Sequence, residues 1–364
     1  MKKQRWFRKY PRLTLFIVVV TGSLMALFGF EGFLYLFLRF PVLSAYVPYF
    51  KPTSVYYTYD RNIIQFMPSC SVYDSQLTYL MKPGECEHCN REFCNRYRIN
   101  HMGLRDDESS LHYPKVIILG DSYAMGWGVN QDETFAQVIE HQTGLMTLNA
   151  GISSYGTARE MLLLERLDTS EMIYLVIQYS NNDCEENMQY VRNHFNLNIM
   201  PREEYELLCM QHMNRKRYAP LIFTSAFLNV VKDFLKRNFY PQTPVAKVVR
   251  AELPSFSFRE TIQSYTPITP EEGAEFFLKI LSNYDFRGVR LIVLNLAHYT
   301  LDTRTFLGHV ADMKQNSEYP SFIRQMKLID ASSFLEKADY YVIDDHLNAS
   351  GHRKVAHAII EAMN

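Results

Sequence analysis

Several apolar runs, each too short for a helix and each closed by small or polar residues, constrain this chain most. Val116–Leu119 reads VIIL and stops at Gly120, Asp121 and Ser122. "MIYLVIQYS" (172–180), "VRLIVLNL" (289–296) and "MKLIDA" (326–331) have the same character, and residues 146–148 make a short run of the same kind. Helical patterns fall between them. Residues 133–143 place Phe135, Val138 and Ile139 on one face, with Gly144 as a stop. Residues from 157 to about 167, 270–284 and 349–363 read as further helices. A strand that is apolar on both sides must be covered on both sides. The alternation therefore predicts an α/β fold with a parallel sheet between two helical layers.

A different pattern precedes this body. Residues 13–40, "LTLFIVVVTGSLMALFGFEGFLYLFLRF", contain Glu31 as their only acid. About 20 apolar residues suffice to cross a bilayer. Lys2, Lys3, Arg5, Arg8, Lys9 and Arg12 precede the run, which predicts a cytoplasmic N-terminus and an extracytoplasmic body. A cleaved signal peptide is the alternative. Its apolar core is usually about 7–15 residues long and ends in a small-residue cleavage site, and neither matches here. Glu31, in the outer third, reads as a tolerated edge charge or as a partner contact in the membrane.

With 38 Lys and Arg against 39 Asp and Glu, and six of the cations in the first twelve positions, the remaining body is mildly acidic. That argues against nucleic acid as a partner. Cys86, Cys89 and Cys94 crowd into "CEHCNREFC", with Cys70 before them and Cys184 and Cys209 far behind. Outside the cytosol such a cluster favours disulfides. Zinc, with His88 and His101 nearby, and free thiols are the alternatives, and spacing alone does not give the pairing.

The expected organisation is a basic tail (1–12), a transmembrane helix (13–40), a stem with a Cys-containing extension (41–113) and the main α/β domain (114–364). The extension is broken by Pro52, Pro68, Pro83 and Gly84. The domain carries an insertion at about 185–269, too long for a single crossover. Within the insertion, "LIFTSAFLNVVKDFLKRNFY" (221–240) has helical periodicity and a basic end. It reads as extra helices packed on the core, as a lid, or as a face resting on the membrane.

Ligands of open parallel sheets bind beyond the carboxyl ends of the strands. Those ends carry Gly120-Asp121-Ser122, Asn149-Ala150-Gly151, Ser180-Asn181-Asn182-Asp183 and Ala297-His298, and "VIDDHLNASGH" (342–352) precedes the last helix. Acyl transfer needs a nucleophile, a base, a group that orients the base, and donors for the oxyanion. Ser122 is the candidate nucleophile and His346 the candidate base. The backbone N–H groups of Ser122 and Gly151 and the Asn182 amide are the candidate oxyanion donors. In an extended segment Asp344 shares a side with His346 and Asp345 points away, so Asp344 is the expected orienting acid, with Asp345 as the competitor. Asn149 and Asp183 read as turn-formers, His352 and His357 as helix residues, and His298 as a pocket-lining candidate. A helix cap is the alternative role for Ser122.

These blocks, in this order, resemble the SGNH hydrolases, also called the GDSL esterase/lipase family. Over roughly residues 100–364 the family's serine, glycine, asparagine and histidine correspond to Ser122, Gly151, Asn182 and His346. The resemblance implies a flavodoxin-like three-layer α/β/α fold, no metal or cofactor, and acyl transfer through a serine ester. "GLRDDE" and "GDSYAMGWGV" look like a membrane-anchored branch associated with extracellular glycans. There are two departures. Ser180 stands where the third block usually begins with glycine, and Ile343 stands at the usual place of the aspartate, three residues before the histidine.

The expected activity is a membrane-anchored serine acyl hydrolase or acyltransferase acting on O-acyl, above all O-acetyl, esters of extracytoplasmic glycans. This reading leaves room for a membrane partner in glycan modification. The alternatives are a lipase or thioesterase, or a non-catalytic glycan-binding or assembly protein on the same fold.

Overall fold

The computed structural model describes residues 9–39, 61–215, 220–239, 268–297 and 304–364. Most of the basic tail, residue 40 at the end of the expected transmembrane stretch, the stem at 41–60 and the candidate His298 lie outside the described residues. The chain divides into two compact units, one built from its first sixty residues with 216–255, the other from the rest.

In the first unit, helix Pro11–Arg39 is long and apolar enough to cross a membrane. Helix Ile222–Phe239, from the insertion, belongs to the same unit.

The second unit opens with two antiparallel hairpins where the sequence led us to expect an irregular extension. β1 (Ser71–Asp74) pairs with β2 (Thr78–Met81), and β3 (Gly84–Cys89) with β4 (Cys94–Ile99). Disulfides join Cys70 to Cys86 and Cys89 to Cys94, while Cys184 and Cys209 are free thiols. Pro68, Pro83 and Gly84 sit at or near the ends of strands, which is why their breaks did not exclude short strands, and Pro52 lies outside the described residues.

The sheet follows. β5 (Val116–Leu119), β6 (Thr147–Asn149), β7 (Tyr174–Tyr179), β8 (Arg290–Asn295) and β9 (Lys327–Asp330) are all parallel, in the order β6-β5-β7-β8-β9. This is the flavodoxin-like order. The strand alternation sorts the core. Ile117, Leu119, Leu175, Ile177 and Val293 face a layer holding Ala158, Met161, Phe277 and Leu281. Val116, Ile118, Val176, Ile292 and Leu294 face Phe135, Ile139, Val355 and Ile359. Each fully buried large side chain is worth about 1.5–3 kcal/mol, so both faces are held strongly. The three-layer sandwich is thus formed by helices Thr157–Leu164 and Pro270–Leu281 on one side, and Phe135–Thr143 and Ala349–Met363 on the other. β5 lies where the strand order reverses, so its carboxyl end opens into the switch-point crevice.

Candidate active site

β5 is followed by Gly120 (φ 155°), where the neighbouring side chains leave no room for a Cβ. A Cβ there would meet Gln178 Oε1 at 2.5 Å and Ala124 Cβ at 2.6 Å. Gln178 projects from β7, and its Oε1 accepts the N–H of Asp121 at 3.0 Å and of Ala124 at 3.3 Å. The turn is therefore pinned to the neighbouring strand. Ser122 begins the short helix Ser122–Met125, with Asp121 as its cap accepting the Tyr123 N–H at 2.9 Å. The capping role falls to Asp121, which leaves the Ser122 hydroxyl available.

That hydroxyl meets His346 across the fold. Ser122 Oγ is 2.7 Å from His346 Nε2, and His346 Nδ1 is 2.5 Å from Asp344 Oδ1. Asp344 Oδ1 also accepts the His346 backbone N–H at 3.2 Å, and its Oδ2 accepts the Trp127 indole N–H at 3.3 Å. So close to a carboxylate, Nδ1 carries the proton and Nε2 presents its lone pair to Ser122.

Asp345 departs from the expectation. Its Oδ1 lies 3.1 Å from His346 Nδ1 rather than pointing away. Residues 342–346 are bent throughout, so the alternation of an extended segment does not apply. Asp345 also pairs with Arg61 at 3.3 Å. Arg61 lies over the face of Trp127, its Cζ 4.6 Å from the ring centroid, and the other contacts of Trp127 include a near-parallel stack on the His346 ring at 4.8 Å. The Arg61 Nε is 3.7 Å from Asp344 Oδ2.

The electrostatics follow from these neighbours. Burial disfavours the charged forms of both His346 and Asp344. For His346 the charges of Asp345 and Asp344 outweigh burial, and its pKa is raised. For Asp344 the charges of Arg61 and His346 outweigh burial, and its pKa is lowered. Asp121 is pushed up to about 6 by burial, against the Tyr123 N–H, the His346 charge and a hydrogen bond from Asn182.

Each expected oxyanion donor has a distinct situation. The Ser122 N–H opens its helix and so has no partner one turn back within it. Gly151 packs against that helix, where a Cβ would lie 2.4 Å from the Met125 nitrogen, and only glycine fits. Its N–H donates to Asn149 Oδ1 at 3.1 Å. Asn182 is exposed at the start of helix Asp183–Arg192 with its amide on Asp121, and that amide carries two N–H groups.

The other candidates are structural in this fold. Asp183 is buried and accepts the Thr157 hydroxyl at 2.9 Å. His352 is buried and accepts the Phe135 N–H at 3.2 Å, and His357 is exposed beside Gln142.

Four contributors escaped the sequence reading. Gln178 had a signal, being the one amide in an otherwise apolar strand. Glu92, inside the Cys89–Cys94 loop, accepts the backbone N–H groups of Val342, Ile343 and Asp344, each at 2.8 Å. Trp127 and Arg61 left no comparable mark, because a stack between distant segments has no local pattern. His88, held neutral with a pKa of about 3 by burial, packs edge-on against Trp127 at 4.5 Å.

No family model and no curated protein matches the sequence. Solved structures that resemble it include three esterases or lipases. A carbohydrate esterase family 2 enzyme with a carbohydrate binding domain, from Corynascus thermopiles (Myceliophthora fergusii), is 12% identical over 68% of this chain and 64% of its own, with a TM-score of 0.33. A lipase from a goat rumen metagenome is 15% identical over 68% and 96%, with a TM-score of 0.32. A GDSL-like lipase from Bacteroides thetaiotaomicron VPI-5482 is 10% identical over 71% and 89%, with a TM-score of 0.31. By its own sheet order and by the motifs seated at its strand ends, the chain is similar to the SGNH, or GDSL, hydrolases.

Proposed function

We propose that the chain is a serine acyl hydrolase or acyltransferase. The observation that carries this is the continuous row from Ser122 Oγ through His346 to Asp344, at 2.7 and 2.5 Å. In the proposed reaction Ser122 Oγ attacks the ester carbonyl as its proton passes to His346 Nε2. The oxyanion is received by the N–H of Ser122, with the spare Asn182 N–H and the Gly151 N–H, shared with Asn149, as further donors. Collapse expels the alcohol, which takes the proton from His346, and leaves an acyl-serine. Water then regenerates the serine in a hydrolase, and an acceptor hydroxyl does so in a transferase. The two differ in how well water is kept from the acyl-serine.

The expected substrates are O-acyl, in particular O-acetyl, glycans outside the cytoplasm. This rests on the family resemblance of the motifs and on helix Pro11–Arg39, preceded by basic residues, which supports a single-pass anchor with its N-terminus inside. A periplasm-active reporter fused after Asn364 is expected to be active, and a cytoplasm-only reporter active there would reverse the topology.

A fluorophosphonate probe and a panel of acetyl esters test the chemistry. The protein is expected to be labelled and to turn esters over. Ser122→Ala is expected to abolish both and leave the melting temperature nearly unchanged, since Asp121 provides the helix cap. Equal loss of fold and activity would return Ser122 to a structural role.

A further inference from the structure

Glu31 is an acid in a helix otherwise fit for lipid, and in this structure it is only 3% exposed. Its Oε1 accepts the N–H of Phe223 at 3.1 Å, and its Oε2 accepts both the N–H and the hydroxyl of Thr224 at 2.7 Å. These N–H groups belong to the first turn of helix Ile222–Phe239, where no intrahelical acceptor exists. The cap of the second helix is therefore supplied by the first. Around this clasp Phe223 packs with Leu34 and Tyr35, and Phe227 with Phe30 in an edge-on contact at 5.4 Å.

The position of the clasp matters. At 1.5 Å per residue Glu31 lies about 30 Å along the helix from Pro11. That equals the thickness of a bilayer's hydrocarbon core, about 30 Å, so the clasp falls at its outer boundary. The second helix cannot plunge inward from there, because its latter half carries Lys232, Asp233, Lys236 and Arg237. It has an outward stripe of Leu228 (59% exposed) and Leu235 (46% exposed), two turns apart, with exposed Lys232 between them. Leucines that enter the headgroup boundary beside lysines that reach up to anionic headgroups are the pattern of a helix lying in the interface.

We propose that Ile222–Phe239 is an interfacial membrane helix, clasped at its N-terminus by Glu31 and resting its Leu228–Leu235 face on the lipid surface of the outer leaflet. This rests on the membrane-anchor reading of Pro11–Arg39. A carboxyl group in a spanning helix is unfavourable unless satisfied, and here two backbone donors and a hydroxyl satisfy it. The second helix gains a cap and an anchoring point that its own sequence does not provide.

The test uses the full chain, lacking the free Cys184 and Cys209, in phosphatidylethanolamine/phosphatidylglycerol vesicles. Single cysteines at Leu228, Leu235, Val18 and the exposed Ser170 are labelled with a fluorophore. Labels at Leu228 and Leu235 are expected to be quenched by lipids carrying a nitroxide near the headgroup, and to be quenched by aqueous iodide about ten-fold less than the label at Ser170. Glu31→Ala is expected to raise iodide quenching at Leu228 toward the Ser170 level, with Glu31→Gln, which keeps one acceptor, intermediate. If Leu228 and Leu235 match Ser170 while Val18 is protected, the interfacial helix is wrong and the anchor stands. If Val18 is itself open to iodide, the anchor reading fails and the inference falls with it. Protection of Leu228 that Glu31→Ala leaves unchanged overturns the clasp.

Discussion

The Glu92 carboxylate accepts the backbone N–H of Asp344 at 2.8 Å, from 252 positions away in the chain. It accepts the N–H groups of Val342 and Ile343 at the same distance, and it sits in the loop closed by the Cys89–Cys94 disulfide. The cysteine-bearing hairpin is thus a brace for the segment that carries Asp344 and His346. Tyr341 adds to the brace, packing against Phe93 and donating its hydroxyl to Gly128 O at 2.5 Å.

Glu92→Ala would remove the acceptor of three backbone donors at once. The His346 ring is then free to shift, and a displacement of about 1 Å can lower a rate about 10²-fold. The expected result is a kcat lower by about 10–100-fold with KM little changed. Glu92→Gln, which keeps an acceptor oxygen, should retain more activity. Ester kinetics beside a melting curve decide the matter. A folded Glu92→Ala protein with wild-type kcat would mean the segment holds its shape unaided.

Asn182→Ala tests the oxyanion assignment. If one Asn182 N–H faces the developing charge, kcat should fall by about 10²–10³-fold. The variant also removes a donor to Asp121, whose pKa burial pushes up to about 6 even with that bond holding it down, so its loss should raise it further. The acid side of the pH profile should therefore be recorded as well. A loss of only a few-fold across the whole pH range would take Asn182 out of the chemistry.

Glu160 gives a stability prediction with a definite sign. It is fully buried, and neither carboxyl oxygen has a hydrogen-bond partner among the described residues. Burial first, then the charges of Asp183, Asp121 and Glu186, raise its pKa well above the ordinary value. The folded protein keeps the proton that the unfolded chain releases above about pH 4.3. Its contribution is thus fully present below that pH and is lost as pH rises toward the folded pKa, by up to about 1.4 kcal/mol per pH unit. Glu160→Gln stays neutral and should lose this slope. Compared with wild type, it should be more stable at pH 8 than at pH 5. The same difference in melting temperature at both values would rule out the protonated buried acid.

The sheet was legible because unbroken apolar runs of strand length admit few other folds, and β5, β7, β8 and β9 fall inside the stretches that the pattern marked. The meeting of Ser122 and His346 at 2.7 Å was legible because one stands at a strand end and the other before the last helix. The hairpins at 71–99 were not, because four- to six-residue strands broken by proline and glycine carry too little periodicity. Nor were Arg61, Glu92 and Trp127, whose roles exist only where segments far apart in sequence meet. The place of Asp345 was not legible, because side-chain alternation does not hold where residues 342–346 are bent.

Asp344 and Asp345 both stand within reach of His346 Nδ1, in different surroundings. Asp344 is the nearer to His346 Nδ1, at 2.5 Å against 3.1 Å for Asp345, and it is fixed by the Trp127 indole. Asp345 is the more exposed and is neutralised in part by Arg61 at 3.3 Å. Asp344→Asn replaces the acceptor of the Nδ1 proton with a neutral amide and should cut turnover by up to about 10⁴-fold, the scale of a lost triad tautomer. Asp345→Asn should cost only a few-fold at the optimum, yet it should move the pH profile. The Asp345 charge is among those that raise the His346 pKa above 6.5. Turnover needs His346 neutral, so removing that charge lets the imidazolium lose its proton earlier, and the acid limb of kcat/KM shifts to lower pH. Both variants are measured beside His346→Ala over pH 5–9 with one acetyl ester. If Asp345→Asn is the more damaging, or if its acid limb stays in place while turnover falls, the division of labour between the two acids is wrong.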